Sequence, residues 1–511
     1  MEKVPNERLL RSALGPGLAD NVAALQTLFN APLNKDLVVR RFETCGFSAA
    51  LLYIEGMAGS QALGEGVLRP CLTAPPAPEL PAQERTNHLA QAVLSLAGTA
   101  SSDLMSELVQ ALLDGQSALL AEGCGQALIL ETRGYEKRGV ERPQNESVVI
   151  GAQQGFVENL RTNITLIRRV VRSPMLITEM LQVGCQIPSQ VALVYLKGVA
   201  SQPILEEVRR RILSLKVDYL ADSGQLQAFI EDAPMQLIPQ MLQTERPDRA
   251  AHCVCDGQIA ILMDNSPYAL IAPITFFHLI HAADDNYLRW QYATFTRLLR
   301  TLGLLMSLYL PGLYVALTTF HRQVIPLDLL TSIAESRARV PFPVLVETLI
   351  LELSFFMINE AGIRMSSQIG SALGIVGGLI LGQAAVAADV ISPILIIIVA
   401  LSGLGNYVAP TYSLSIVVEI LRLSLVLIAA LAGLYGIALL SFVYLCALCA
   451  AQSLGQPMMA PFAPYRPHNP DLLLRLPAWL QKRRLFLASR ASWLKRWRPG
   501  DARSWRKGDK K

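Results

Sequence analysis

Long apolar stretches in the last third of the chain constrain its fold more than any other feature. Between residues 301 and 450 they approach or exceed the ~20 residues that cross a bilayer as a helix, while charged residues concentrate in the first 300 and the last 40 positions. Asp, Glu, Lys and Arg make up 17% of the 511 residues, against about 25% in ordinary globular chains. This distribution excludes a wholly soluble, collagenous or disordered protein. It predicts an α+β head of two similar α/β subdomains, followed by an all-α multi-pass membrane domain.

A faint internal repeat predicts the two-part head. The run SAALLYIEGMA at 48–58 is similar to QVALVYLKGVA at 190–200, and each is followed by helical patterns. Such self-similarity indicates two copies of one supersecondary unit. The predicted divisions are an N-terminal segment at 1–34, a first subdomain at 35–135, a connecting amphipathic region at 136–184, a second subdomain with the membrane approach at 185–290, a membrane domain at 291–455 and a basic tail at 456–511.

Each half of the head is also predicted to contain a β-hairpin. In the first half the strands are 117–122 and 126–132, around a glycine-containing turn. In the second half they are 250–255 and 258–264, around an Asp-Gly pair that suits a type I′ turn. The shared strings GQALIL and GQIAIL align the second strand of one hairpin with the second strand of the other.

A strongly amphipathic helix is predicted between the subdomains, at 155–172. At ~100° per residue its apolar residues share one arc, and Arg161, Arg168 and Arg172 share another. Two interpretations stay open. The basic face is solvated, or its arginines pair with acidic groups of a neighbouring subunit or with anionic lipid.

We predict four spans in the membrane domain, with 341–360 as an interfacial, re-entrant or pore-facing helix that does not fully cross. Glycines 374, 378 and 382, four residues apart, favour close helix packing. The stretch 413–450 is too long for one crossing, so we predict a surface helix followed by a last span. The spans are placed at about 301–320, 371–388, 394–407 and 423–450, and the packing glycines are Gly374, Gly378 and Gly382.

The two ends of the chain are predicted to be cytoplasmic. The first 18 residues carry no long apolar core, so we expect no cleavable signal peptide. The tail interleaves Lys and Arg with Trp, a composition that suits contact with anionic membrane lipids. The near balance of 45 basic and 41 acidic residues gives no indication of nucleic-acid binding.

Polar groups within the apolar region are candidate functional residues, because each is costly beside lipid and should face protein or water. A ring of carboxylates from among these groups, one per subunit, would attract cations and repel anions. The alternative is that they form structural pairs, as Glu360 with Arg364 and Glu419 with Arg422 would at helical spacing. The candidate pore or gating residues are Glu347, Glu352, Gln383 and Asp389.

The sequence does not predict an enzyme. It contains no GxxxxGK[ST], HExxH or GxSxG motif. His278 and His281, with Asp284 and Asp285, have a spacing that could bind a metal, but an aromatic approach to the membrane explains the same residues. We therefore expect no catalytic residue, no metal and no cofactor.

Several motifs resemble the A subunits of spore germinant receptors, the GerA family, which includes the SpoVAF-type proteins. The longest is GAQQGFVENL at 151–160, followed by Thr162-Asn163 and by LIRR at 166–169. Further matches follow in order along the chain: LPGLY at 310–314, Phe320-His321, PFP at 341–343 with Glu347, NEAGIR at 359–364, GIVGG at 374–378, GQAA at 382–385 and Ser392-Pro393. The head signature comprises Gly155, Phe156, Glu158, Asn159, Asn163, Arg168 and Arg169.

The resemblance implies a multi-pass protein of the spore inner membrane or cell membrane, with head and tail in the cytoplasm. It implies partner subunits of the B and C types and assembly into a homo-oligomer, a pentamer. That assembly would be a ligand-gated cation channel that triggers or amplifies ion release during germination. The alternatives left open are a non-conducting membrane scaffold and a component of a secondary transporter.

Overall fold

The computed structural model describes residues 9–77, 81–134, 150–364, 382–465 and 471–477, with a few isolated positions besides. The first part of the head is a five-stranded antiparallel sheet with helices packed on it. Its strands run in the order β1-β2-β4-β5-β3. The elements are α1 (Leu18–Leu28), β1 (Leu37–Thr44), β2 (Phe47–Ile54), β3 (Thr99–Ser102), α2 (Met105–Leu113), β4 (Ser117–Ala121) and β5 (Ala127–Leu130), with short helical segments at Ala62–Leu68, Arg69–Thr73, Arg85–His88 and Leu89–Val93.

The second part of the head repeats this arrangement. Its sheet has the order β6-β7-β9-β10-β8, the same path through five strands. Both sheets bury apolar side chains on two faces, which explains the near-continuous apolar runs of β2 and β7. The elements are α3 (Leu160–Val170), β6 (Leu176–Val183), β7 (Ser189–Leu196), α4 (Gln202–Ser214), α5 (Ser223–Ile230), β8 (Leu242–Thr244), α6 (Pro247–Cys255), β9 (Ile259–Met263), β10 (Ala269–Ala272) and α7 (Phe276–Ile280).

The structure corrects the predicted hairpin of the second half. Residues 250–255 lie in helix α6, not in a strand, and β9 pairs with β10 instead. The Asp-Gly pair therefore ends a helix: Gly257 has φ +101°, and its N–H donates to the carbonyl of Val254. The matching unit in the first half is α2–β4, with Gly115 at φ +88°. The true repeat is thus Asp-Gly-Gln at 114–116 and at 256–258.

The apolar part of the chain forms a bundle of helices. Among the described residues they include α8 (Trp290–Thr319), α9 (Leu327–Arg337), α10 (Val344–Arg364), α11 (Pro393–Tyr407) and α12 (Tyr412–Ala450). Among the described helices, α8 and α12 are long and apolar enough to cross a membrane. Helix α8 continues through Pro311, and the adjacent Gly312 allows close approach to the backbone of Leu425.

Helix α12 is a helical hairpin, so the prediction of a surface helix followed by one span is wrong. Gly433 has φ +61° and ψ −143°, a conformation that interrupts the helix. The hydroxyl groups of Ser424 and Tyr444 are hydrogen-bonded, although residues 20 apart in a straight helix would be ~30 Å apart. The two halves, 412–432 and 434–450, therefore run antiparallel.

The hairpin begins and ends beside the head. Leu414, near its start, and Ala451, just after its end, are buried in one apolar cluster with head residues. The chain then forms the small hairpin of β11 (Gln452–Ser453) and β12 (Gln456–Pro457). Gly433 lies at the opposite end of the bundle, against Phe320 and His321 after α8.

The first part of the segment after α12 packs on the second subdomain. The Ser453 hydroxyl donates to the Gln240 carbonyl oxygen at 2.6 Å and accepts from Ile274 N–H at 3.0 Å. The N–H of Phe276 donates to the carbonyl oxygen of Met458 at 2.9 Å. These contacts make 452–462 part of the head surface. The basic and Trp-rich residues of the predicted tail lie almost entirely outside the described residues.

Candidate functional site

A buried polar network joins four helices of the apolar bundle. Arg422 on α12 is paired with Glu352 on α10, with 2.9 Å between Nη2 and Oε2. Its Nη1 donates to Ser307 on α8 at 3.2 Å and to Ser402 on α11 at 2.9 Å. Glu352 is 2% exposed and Arg422 5%. One guanidinium thus holds side chains from three other helices, because its fixed fork of donors reaches in several directions.

The network continues toward the head through Asn406 and Glu419. Asn406 Nδ2 donates to Glu419 Oε1 and to Ser415 Oγ, each at 2.7 Å. The ion pair of Arg422 recorded in the structure is with Glu352, not with Glu419 as helical spacing suggested. A contact between α10 and α12 replaces the expected local one.

Glu347 belongs to a second buried cluster, at the opposite end of α10 from Asn359. It is fully buried, and its Oε1 accepts from Arg337 Nη2 at 3.0 Å. Its Oε2 accepts from the backbone N–H of Ser392 at 3.3 Å. Glu347 therefore ties together α9, α10 and the start of α11.

The other predicted bundle residues do not join these clusters. Gln383 is exposed, and Asp389 is half-buried in a left-handed turn with φ +55°. Gly374 and Gly378 lie outside the described residues. A Cβ on Gly382 would meet no atom within 4 Å, so Gly382 shows no close helix contact in the described part of the chain.

Close glycine packing occurs elsewhere, at a place that the sequence analysis missed. Gly303 on α8 and Gly405 on α11 touch, and a Cβ on Gly405 would clash with the Gly303 carbonyl oxygen. The two glycines lie 102 positions apart in the sequence, so no local spacing indicates the pair. Their contact brings α8 close to α11, where Ser402 donates to the Ser307 carbonyl oxygen at 3.0 Å.

The arginines of α3 join the two halves of the head. The predicted solvated face is correct for Arg161 and Arg172, which are more than half exposed, and wrong for Arg168. Arg168 is 1% exposed. Its Nε donates to Asp36 Oδ2 at 3.1 Å, and Thr178 Oγ1 donates to the same oxygen at 2.8 Å. Arg161 pairs with Glu55 and Arg172 with Asp114. All three acidic partners belong to the first half of this chain.

The other residues of the head signature fix the start of α3. Asn159 caps the helix by accepting from the N–H of Thr162 at 3.0 Å. Asn163 is fully buried, and its Oδ1 accepts from Val157 N–H at 2.8 Å. Gly155 and Phe156 are buried, Glu158 is exposed and Arg169 is half-buried. Asn159 and Asn163 thus shape the connection between the subdomains.

A third buried cluster connects the head, the base of α8 and the segment after α12. Arg297 is 2% exposed, and its Nε donates to Asp285 Oδ2 at 2.8 Å. Its Nη1 donates to Asp471 Oδ1 at 2.6 Å and to the Leu472 carbonyl oxygen at 3.0 Å. Arg300 also pairs with Asp285. These contacts tie the base of α8 to the end of the second subdomain and to residues 471–472.

Replacing Asp471 with Ala is expected to release residues 471–477 from the head. The change removes a charge-assisted hydrogen bond to a buried guanidinium, which contributes ~1.5–3 kcal/mol. Amide hydrogen exchange at 471–477 should accelerate at least about tenfold. Hydrogen-exchange mass spectrometry of the full chain checks this, with Asp328→Ala on the exposed side of α9 as control. Unchanged exchange at 471–477 would contradict the role given to Asp471.

The two histidines next to this cluster serve as hydrogen-bonding groups. His278 Nδ1 is hydrogen-bonded to Thr275, and His281 Nε2 to the Leu472 carbonyl oxygen at 2.6 Å. Burial and the nearby Arg249 lower the pKa of His278 to about 4, and burial beside Arg297 also lowers the pKa of His281. Within the described ranges, no group of three or more His, Cys, Asp or Glu side chains could hold a metal ion.

The head is expected to lose stability on acidification because of these histidines. An imidazole whose pKa is lower in the folded state takes up its proton first in the unfolded chain, so stability falls as pH falls below ~6.5. For His278 alone, the loss between pH 7 and pH 5 should be about 2 kcal/mol. Thermal unfolding at the two pH values checks this. His278→Gln should flatten the dependence, whereas His252→Gln, at an exposed position, should retain it.

Comparison with known proteins gives the family. The family model described as "Bacillus/Clostridium GerA spore germination protein" matches residues 23–486. The chain is 34% identical to the uncharacterized membrane protein YfkQ of Bacillus subtilis, over 92% of this chain and 91% of that one. It is also 34% identical to spore germination protein KA of Bacillus subtilis, over 92% and 86% of the two chains.

A solved structure is also similar. It is the crystal structure of the N-terminal domain of the A subunit of the Bacillus megaterium spore germinant receptor GerK3, with a TM-score of 0.42 and 25% identity over 52% of this chain and 98% of that one. The matched family is one of germinant receptor subunits and is not enzymatic. Because the family model and these relatives match most of the chain, this chain belongs to the GerA family of spore germination proteins.

Proposed function

We propose that this protein is the A-type membrane subunit of a spore germinant receptor and that copies of it assemble into a ligand-gated cation channel. The observation that carries this proposal is the buried network of Glu352, Arg422 and Glu419, placed between helices of an otherwise apolar bundle. Charged groups inside a membrane are costly and are retained where they serve ion pathways or gating. The relatives' role in germination supports the same function.

The proposed membrane domain is 291–455, with the head and the following segment both in the cytoplasm. Helix α8 leads away from the head, and the two halves of α12 lead away and back. The halves of α12 are about 31 and 26 Å long at ~1.5 Å per residue, close to the ~30 Å hydrocarbon core. The contact of 452–462 with the head supports a common side for both.

The proposed gating movement starts in the head and reaches the bundle through Arg297. Head rotation would displace α8 and change how α8 holds Ser307 against Arg422. The candidate gating residues are Glu347 and Glu352, which are buried and paired, and Gln383 and Asp389, which are not part of the two clusters. We propose partners of the B and C types and a pentameric assembly in the spore inner membrane or cell membrane.

Reconstitution into liposomes tests this function. The full chain, alone and with B- and C-type subunits, is expected to carry potassium across the membrane, and Glu352→Gln is expected to alter the flux. The number of copies per particle is measured in lipid nanodiscs. A protein that forms no oligomer and carries no potassium under any of these conditions would be a scaffold, and the channel proposal would be wrong.

A further inference from the structure

A pocket of about 420 Å³ lies between α10 and the first half of α12. Its rim is apolar and accessible from outside the bundle: Leu353 is 60% exposed, Phe356 44% and Ile420 43%. In the proposed membrane placement, this rim faces the acyl chains of the bilayer. The volume lies within the ~300–1,000 Å³ of small-molecule sites.

The polar residues that line this pocket are incompletely paired. Glu352 and Arg422 both line it and are more than nine-tenths buried. Within the described part of the chain, Glu352 Oε1 and Arg422 Nε have no hydrogen-bond partner. A buried carboxylate oxygen without a donor is costly, so Glu352 has an unused capacity to accept a hydrogen bond.

The charges around the pocket favour a cation. Two carboxylates, of Glu352 and Glu419, line the pocket with one guanidinium, of Arg422. The guanidinium already donates from both of its terminal nitrogens. A ligand that brings one positive charge and several donors would balance the acidic excess, whereas a ligand that brings a further carboxylate would be repelled.

We propose that this pocket binds an amphipathic primary ammonium, with its charged group at Glu352 Oε1 and its alkyl chain along Leu349, Leu353 and Phe356. The ligand enters from the lipid phase. The proposal requires that the bundle lie in a membrane, and it does not require that the bundle conduct ions.

Photolabelling of the full chain in phosphatidylcholine nanodiscs tests this site. The probe is decylammonium carrying a diazirine on its chain, and the labelled peptides are mapped by mass spectrometry. We expect saturable labelling on α10 and the first half of α12 that unlabelled decylammonium displaces at least about tenfold better than decanol or decanoate does. Equal displacement by decanol or decanoate would overturn the assigned chemistry.

Two variants keep the result decisive. Glu352→Gln should weaken saturable labelling at least about tenfold, and Glu335→Gln, on an exposed part of α9, should leave it unchanged. If Glu352→Gln fails to fold, Leu353→Trp fills the rim without changing a charge and should abolish labelling. Labelling that persists in Leu353→Trp would overturn the site. The site would also be overturned if the parent protein showed no labelling and Leu353→Cys formed a crosslink to a second copy, because the rim would then be a contact between subunits. Potassium flux is measured separately, so failure here leaves the channel proposal standing.

Discussion

Replacing Arg422 with Met is expected to destabilise the bundle by ~3–5 kcal/mol, because the substitution leaves the carboxylate of Glu352 buried without its counter-ion. The substitution also removes the hydrogen bonds that Arg422 donates to Ser307 and Ser402, and so weakens the contacts of α12 with α8 and α11. The measurement is the fraction of full-length protein that stays monodisperse in detergent after heating, compared across a temperature series. The double variant Glu352→Met with Arg422→Met should recover a large part of the loss, because it removes both charges together.

The matched control for this experiment is Arg339→Met, at an exposed position before α10. A solvent-exposed arginine contributes at most about 1 kcal/mol, so the control should melt close to the parent. Equal stability of Arg422→Met and Arg339→Met would show that the network does not hold the helices together. A double variant no better than the single one would show that the loss comes from packing instead of from charge.

Replacing Arg168 with Met is expected to loosen the two halves of the head, again by ~3–5 kcal/mol. The substitution removes the counter-ion of Asp36, which keeps only the hydroxyl of Thr178 among the contacts described above. It also removes the donor to the carbonyl oxygen of Leu176. Amide hydrogen exchange of the full chain in nanodiscs should accelerate at the start of β1, which directly follows Asp36, and in β6, which begins at Leu176.

Arg172→Met is the control for the head, since its pair with Asp114 is 59% exposed on the arginine side. Its effect should stay below about 1 kcal/mol. If the two variants exchange alike, the buried position of Arg168 has no energetic consequence. If Arg168→Met accelerates exchange everywhere in the chain, the pair supports global folding and not the junction between subdomains.

The sequence predicted the repeat of the head and matched β2 with β7 correctly, but it matched β9 with β5 where the equivalent strand is β4. The apolar runs of β2 and β7 are recognisable because strands covered on two faces are apolar along their whole length. The alignment used Gly125, whereas the equivalent of Gly257 is Gly115, at the same helix-to-strand turn. An Asp-Gly pair suits both a hairpin and a helix end, and only the helical contacts of residues 247–255 decide between them.

The bundle was less predictable because its decisive contacts join distant residues. Glu352 could be predicted as a functional candidate because a carboxylate is costly in an apolar segment. Its partner Arg422 could not be predicted, because it lies 70 positions later in the sequence. The spacing of Glu419 and Arg422 suggested a local pair, yet the structure pairs Arg422 with α10. The hairpin turn rests on one backbone conformation at Gly433, and a glycine within a long apolar run does not by itself indicate a reversal.

The contact of residues 452–458 with the second subdomain joins two parts of the chain that the ribosome synthesises at different times. The ribosome makes these residues only after every helix of the bundle has been translated, yet Ile274 and Phe276 depend on them for backbone hydrogen bonds. A nascent chain that stops before residue 451 therefore exposes two amide groups that the mature head covers. That part of the head surface is therefore completed only after the whole bundle has been synthesised.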